Sequence, residues 1–234
     1  MFRIGAKVIS FVFHPLLLAT YMAIVIGVFR PSGVGPQFSD PKALSFTTSL
    51  IFVTTFLIPA LSVGILLSLR PFFGKKKEEG ALDDTVGRKK NEWSNFFSQL
   101  TMKKREDRLL PFAFISAFYM LTTYMFQSKG FFEPKVIVVL MAVSGLIILL
   151  TFITYFWQIS VHSAGVAGLA GILGFLSFQD LTGSLIWPTA VCIFLAGIVM
   201  SARLYLNCHT PAQVYAGGLL GFMATYLPLA LLFG

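Results

Sequence analysis

The sequence predicts an all-α polytopic membrane helix bundle, with about seven transmembrane helices and one interfacial helix, in a single membrane domain over residues 1–234. Three observations predict it. The chain is 56% apolar and only 12% charged, with a mean hydropathy of +0.79, whereas soluble domains run at roughly 45–50% apolar and 25% charged. The apolar residues fall in runs of about 20, the length that crosses a hydrocarbon core. The charges fall between those runs. Composition therefore excludes a soluble enzyme and a disordered chain. In a soluble protein the net charge of +8 would suggest nucleic acid. Placed between spans, it reads as membrane topology and an anionic ligand, so the bilayer is the expected partner and nucleic acid is not. Cys192 and Cys208 read as unpaired thiols behaving as small hydrophobes.

The first span runs from Val8 to Phe29. Its basic flank, Arg3 and Lys7, resembles a signal peptide. The apolar run is too long for one and no small-residue cleavage site follows, so it is read as a retained span. His14, before Pro15, reads as a packed or interfacial histidine beside a kink, away from the polar clusters below. The second span is Ala43 to Leu69, the third Leu109 to Phe126 and the fourth Val136 to Trp157. The fifth, Val161 to Phe178, carries Gly165, Gly168, Gly171 and Gly174 at a spacing of three, a ridge that lets another helix come close. The sixth is Leu181 to Met200. The seventh, Pro211 to Phe233, holds the small pair Gly217 and Gly221. Between the second and third spans lies a polar segment, 70–108. Its first half has no apolar period and reads as a solvated loop. Trp93, Phe96, Phe97 and Leu100 then fall on one helical face, which predicts an interfacial helix over 92–102.

Threaded alternately across a bilayer, the spans put the N-terminus, the 70–108 segment and the junctions 158–162 and 201–210 on one face. That face holds three polar clusters: Lys103 to Arg108, Ser160 to Gly165, and Ser201 to Gln213 with Arg203 and His209. Ionisable residues at a membrane boundary are costly and mark sites. Arg matches phosphate oxygens with a planar fork and Lys adds a point charge. The backbone N–H groups of Ser163, Ala164 and Gly165 open the fifth helix, and helix N-termini receive anions. His162 and His209 supply a nucleophile and a general acid. Glu106 and Asp107 are the only nearby carboxylates and sit among cations, so a metal-independent phosphoryl transfer fits better than a two-metal one.

These residues resemble the type-2 phosphatidic acid phosphatase superfamily. Its members carry a Lys with a downstream Arg-Pro, then Pro-Ser-Gly-His, then Ser-Arg, five residues, His, three residues and Asp. Here the second motif is approximated by Ile159-Ser160-Val161-His162. The third is approximated by Ala202-Arg203, five residues, His209, three residues and Gln213. All three lie within 103–213. The resemblance implies a six-helix phosphatase-like core plus an extra span. It makes His209 the nucleophile that forms a phosphohistidine and His162 the acid for the leaving oxygen. Lys104, Arg108, Ser160, Ser163 and Arg203 would hold the phosphate, and Gln213 would stand where the family has Asp. It implies no cofactor, no metal, and a membrane lipid phosphate as substrate: phosphatidic acid, phosphatidylglycerol phosphate or undecaprenyl pyrophosphate. Three departures stand out. Thr101 lies seven residues before Arg108 and Pro111 three after it. Ile-Ser-Val replaces Pro-Ser-Gly. Gln213 brings no charge to the histidine it would orient.

With Lys104, Arg108 and Arg203 set aside as site residues, eleven Lys and Arg fall on the motif face and four on the other. The positive-inside rule then turns the site to the cytoplasm of a bacterial inner membrane, although the resemblance alone implies an outward site. A phosphatase is the first expectation. A catalytically weak or inactive lipid-phosphate-binding protein, or an envelope-complex subunit, is the alternative that Gln213 argues for. A transporter ranks last, since the chain shows no paired broken helices or inverted repeat.

Overall fold

The computed structural model describes residues 2–29, 40–73, 106–130 and 132–234, with side chains described at all of these except 2, 67–73 and 106–108. Lys104 and the predicted interfacial helix 92–102 lie outside the described residues. Among the described residues, seven helices are long and apolar enough to cross a membrane: Arg3–Phe29, Pro41–Leu66, Leu109–Ser128, Pro134–Phe156, Val161–Gln179, Ile186–Tyr205 and Pro211–Phe233. The chain is thus a polytopic helical membrane protein.

The first span is broken. Helix α1 (Phe2–Val12) ends before a 3-10 turn at Pro15–Leu17, and α2 (Leu18–Phe29) follows. Pro15 has no N–H to continue the ladder and pushes the residue before it out of helical geometry. His14 accordingly is extended (φ −64°, ψ 133°), and its Nδ1 accepts from the Leu16 N–H at 3.4 Å. The second span is also composite. Helix α3 (Pro41–Phe52) is N-capped by Asp40, whose carboxylate accepts from Lys42 N and Ala43 N. A π-turn over Val53–Leu57 leads into α4 (Ile58–Phe73). Helices α5 (Glu106–Ser128) and α6 (Pro134–Phe156) form the third and fourth spans. They are joined by hydroxyl pairs, Ser116 with Thr151 at 3.0 Å and Thr123 with Ser144 at 2.9 Å.

The fifth span, α7 (Val161–Gln179), is the central helix: 67% of its apolar window is buried, against at most 44% for any other span. It packs most closely on α9 (Pro211–Phe233), because glycines on both sides remove the Cβ atoms that would keep the backbones apart. A Cβ at Gly221 would overlap the Ala164 carbonyl oxygen, and one at Gly171 would lie 2.8 Å from the Phe222 carbonyl oxygen. Thr225 closes the same seam by donating from Oγ1 to the Gly168 carbonyl at 2.8 Å. Gly174 is not part of the seam, since nothing lies within 4 Å of where its Cβ would be. Gly165 instead faces Leu18 and Pro15, making room for the break in the first span.

The sixth helix, α8 (Ile186–Tyr205), starts five residues later than the apolar run that begins at Leu181. Asp180 organises a turn there, accepting from the hydroxyls of Thr182 (2.8 Å) and Ser184 (2.6 Å) and from the N–H groups of Thr182 and Leu185. Gly183 supplies the left-handed residue (φ +68°) that the turn requires. Leu181 is left 97% exposed on it.

Candidate functional site

The site is built from helix ends. The turn between α8 and α9 is fixed by two standard terminators in series. At the end of α8, Cys208 N donates to the Arg203 carbonyl (3.3 Å) and Asn207 N to the Leu204 carbonyl (2.9 Å). Asn207 is left-handed, with φ +52°. This is the Schellman pattern, and Asn is among the few residues that tolerate the conformation. Three residues later Thr210 opens α9 with a capping box: its Oγ1 accepts from Gln213 N (3.4 Å), and Gln213 Oε1 accepts from Thr210 N (3.1 Å). Pro211 occupies the first helical position. Arg203 and His209 are thereby held one tight turn apart.

The capping box also sets the protonation of His209. The atom that accepts from Thr210 N must be the oxygen of the Gln213 amide. That same Oε1 lies 3.2 Å from His209 Nδ1, so Nδ1 carries the proton and donates it. Neutral His209 therefore has its unprotonated nitrogen at Nε2. Gln213 does for the tautomer what a carboxylate would do, without the charge. His209 itself is 9% exposed.

The loop before α7 sits on the first turns of α9. Ser160 N donates to the Gln213 carbonyl at 3.2 Å, and the Ser160 carbonyl lies where only a glycine fits: a Cβ at Gly217 would be 2.6 Å from it. Ser160 then N-caps α7, with its Oγ accepting from Ser163 N (3.5 Å) and from the Ser163 hydroxyl (2.9 Å). His162 follows, with Nε2 at 3.1 Å from the Ser10 carbonyl.

These elements enclose a cavity of about 250 Å³. His14, His162, Arg203, His209 and Thr225 supply its polar wall. Apolar side chains of the first, third, fourth and fifth spans line the rest, among them Leu16, Met22, Phe112, Ile115, Leu146 and Leu150. Arg203 donates from Nη1 to the Ser10 hydroxyl at 3.4 Å, and its buried Nε has no hydrogen-bond partner among the described residues. An unmet buried donor on a charged group is costly, and an oxyanion would meet it.

Of the residues singled out in the sequence, His162, Arg203 and His209 line this cavity together, and Gln213 holds His209 from behind. Ser160 and Ser163 do not line it. Both are fully buried and their hydroxyls satisfy each other in the cap. The helix N-terminus is not an open anion site either, because Ser163 N goes to Ser160 Oγ and Ala164 N to the Ser160 carbonyl at 3.0 Å. Arg108 lies in the first turn of α5, and its side chain is outside the described residues. His14 is a correction. Expected away from the motif face, it stands on the cavity wall with its ring centroid 5.7 Å from that of His162. Ser10 carried no motif, and only its place in the fold reveals it. The signal for His14 was a histidine next to a proline inside an apolar span, a costly placement. Among the described residues no group of three or more His, Cys, Asp or Glu could hold a metal ion.

Comparison with protein-family models, with curated proteins and with solved structures finds no match to this chain.

Proposed function

We propose that the protein is a membrane phosphatase that hydrolyses a lipid phosphate or pyrophosphate through phosphorylated His209. The observation that carries this reading is the buried Arg203 guanidinium, whose Nε meets no partner among the described residues, on the wall of a cavity shared with His209. His209 Nε2 has the lone pair to attack phosphorus, and the phosphorus–oxygen bond to the lipid breaks as the nitrogen–phosphorus bond forms. The leaving oxygen takes the Nδ1 proton of an imidazolium His162, whose Nε2–H stays on the Ser10 carbonyl. Water then gives a proton to Nδ1 of His162 as it attacks the phosphohistidine; the nitrogen–phosphorus bond breaks, phosphate leaves, and both histidines return to their starting forms. Arg203 holds the equatorial oxygens throughout.

The lining supports an amphiphilic substrate. An apolar cavity of about 150 Å³ takes one benzene ring, so about 250 Å³ suits on the order of ten carbons, the head-proximal part of one hydrocarbon chain. The excess of Lys and Arg on the motif side supports a cytoplasm-facing site in a bacterial inner membrane. The neutral Gln213 supports a second reading, a lipid-phosphate binder without turnover.

The test is phosphate release from a panel of lipid phosphates in detergent, with a chelator present and His209→Ala as control. The expected result is turnover that survives the chelator and is lost in the variant. Turnover unchanged in His209→Ala removes the mechanism. Saturable, Arg203-dependent binding without turnover moves the protein to the second reading.

A further inference from the structure

We propose that the first span completes the anion site: His14 contacts a phosphate oxygen through its Nε2–H, and Ser10 is a positioning residue that aims His162 and Arg203. The inference rests on the lipid-phosphate reading and adds two residues that lie outside its motifs.

The argument starts from the end of α1. In an unbroken helix the Ser10 carbonyl would accept from His14 N. Pro15 breaks the helix, and His14 N goes instead to the Phe11 carbonyl at 3.2 Å. The Ser10 carbonyl is thus one of the orphans that every helix end leaves. His162 Nε2 takes it at 3.1 Å, and Tyr21 takes the Val12 carbonyl at 2.8 Å. The contact fixes the ring plane of His162 and places a proton on its Nε2. The Ser10 hydroxyl meanwhile accepts from Arg203 Nη1. One buried residue, 8% exposed, therefore orients both an imidazole and a guanidinium on the cavity wall.

The same break puts His14 into the cavity. Its Nδ1 accepts from Leu16 N, so neutral His14 carries its proton on Nε2 and is a donor there. The His162 ring packs edge-on against it at 83°, which fixes the plane of a second imidazole next to Arg203. A span interior does not hold a histidine without cost, and the cap to Leu16 N occupies only its Nδ1.

The experiment uses the full chain in nanodiscs and two probes, decyl phosphate and decanol. The chain has three histidines, so ¹⁵N-histidine spectra are assignable by single substitution. Decyl phosphate is expected to shift the His14 ring resonances, and decanol to leave them in place. His14→Phe is expected to weaken decyl phosphate binding about tenfold or more, His14→Gln to hold within about threefold, and Ser10→Ala to weaken it several-fold with rescue by Ser10→Thr. Arg203→Gln separates the two claims. If it abolishes binding while His14→Phe binds like the native chain and the His14 resonances stay still, the inference falls and the phosphate reading stands. If Arg203→Gln binds decyl phosphate as the native chain does, the phosphate reading itself falls.

Discussion

Replacing Gln213 by Glu exchanges one NH2 group for an oxygen and adds one charge, and its effect can be worked from the structure. Glutamate suits the third position of a capping box as well as glutamine does, so Thr210 N keeps its acceptor. The carboxylate then stands where Oε1 is now, 3.2 Å from His209 Nδ1. Attack by Nε2 leaves the ring with a proton on Nδ1, phosphorus on Nε2 and a positive charge. A full charge about 4 Å from the ring is worth about 1 kcal/mol in water and about 4 kcal/mol at an effective dielectric of 20. His209 is buried and Gln213 half-buried, which puts the gain near 2 kcal/mol, about a 30-fold rise in kcat. Gln213→Leu removes the acceptor from both Thr210 and His209, and is expected to lower kcat by a hundredfold or more. The assay is phosphate release from a lipid phosphate, with Tm measured on each variant. A Gln213→Glu protein with native Tm and an unchanged or lower rate would refute the role given to this hydrogen bond.

Three further outcomes follow from packing and charge. Gly221→Ala forces a methyl group onto the Ala164 carbonyl oxygen and is expected to destabilise the bundle by about 1–3 kcal/mol, whereas Gly174→Ala meets nothing and leaves Tm unchanged or slightly raised. Thr225→Val keeps the shape and loses the bond to the Gly168 carbonyl, which costs about 0.5–1 kcal/mol in a thermal melt. At Asp180, burial pushes the carboxyl up, but the hydroxyls of Ser184 and Thr182 and two backbone N–H groups outweigh that and hold it well below the usual carboxylate range. A depressed value stabilises the fold above the unfolded value of about 3.9. Stability is therefore expected to fall as pH drops below about 4, and Asp180→Asn, melted from pH 7 to pH 3, should be less stable at neutral pH and lose less on acidification.

Much of the architecture is written in local signals. Span lengths follow from apolar runs, and the close approach of the fifth and seventh spans from Gly168, Gly171, Gly217 and Gly221. The motif turn is spelled out in full: Asn207 for the left-handed residue, Thr210 and Gln213 for the capping box, and Pro211 between them. The placement of His14 on the cavity wall and of Ser10 against His162 and Arg203 was missed in the sequence, because it depends on which span the first one packs against. Helix α1 lies along α8, and the pairing of Ser10 with Arg203 spans 193 positions. No local period encodes that. The late start of the sixth helix was hidden for a different reason. Leu181 extends the apolar run, but Asp180 claims the N–H groups that a helix would need there. The Ser160 and Ser163 hydroxyls go into the cap of the fifth helix, because a hydroxyl at a helix N-terminus serves the cap first.

The position of Gln213 makes a further point about how a histidine can be oriented. At the third residue of a capping box, the side chain must reach back to the N–H of Thr210, a distance that Glu and Gln span well. Gln213 Oε1 reaches both Thr210 N and His209 Nδ1. An aspartate, one methylene shorter, would have to favour one of the two. Here the turn is fixed by a residue long enough to cap it, and the tautomer of His209 follows from that cap. The geometry of His209 is thus a consequence of helix termination, and its charge balance is a separate variable that one substitution at Gln213 can change alone.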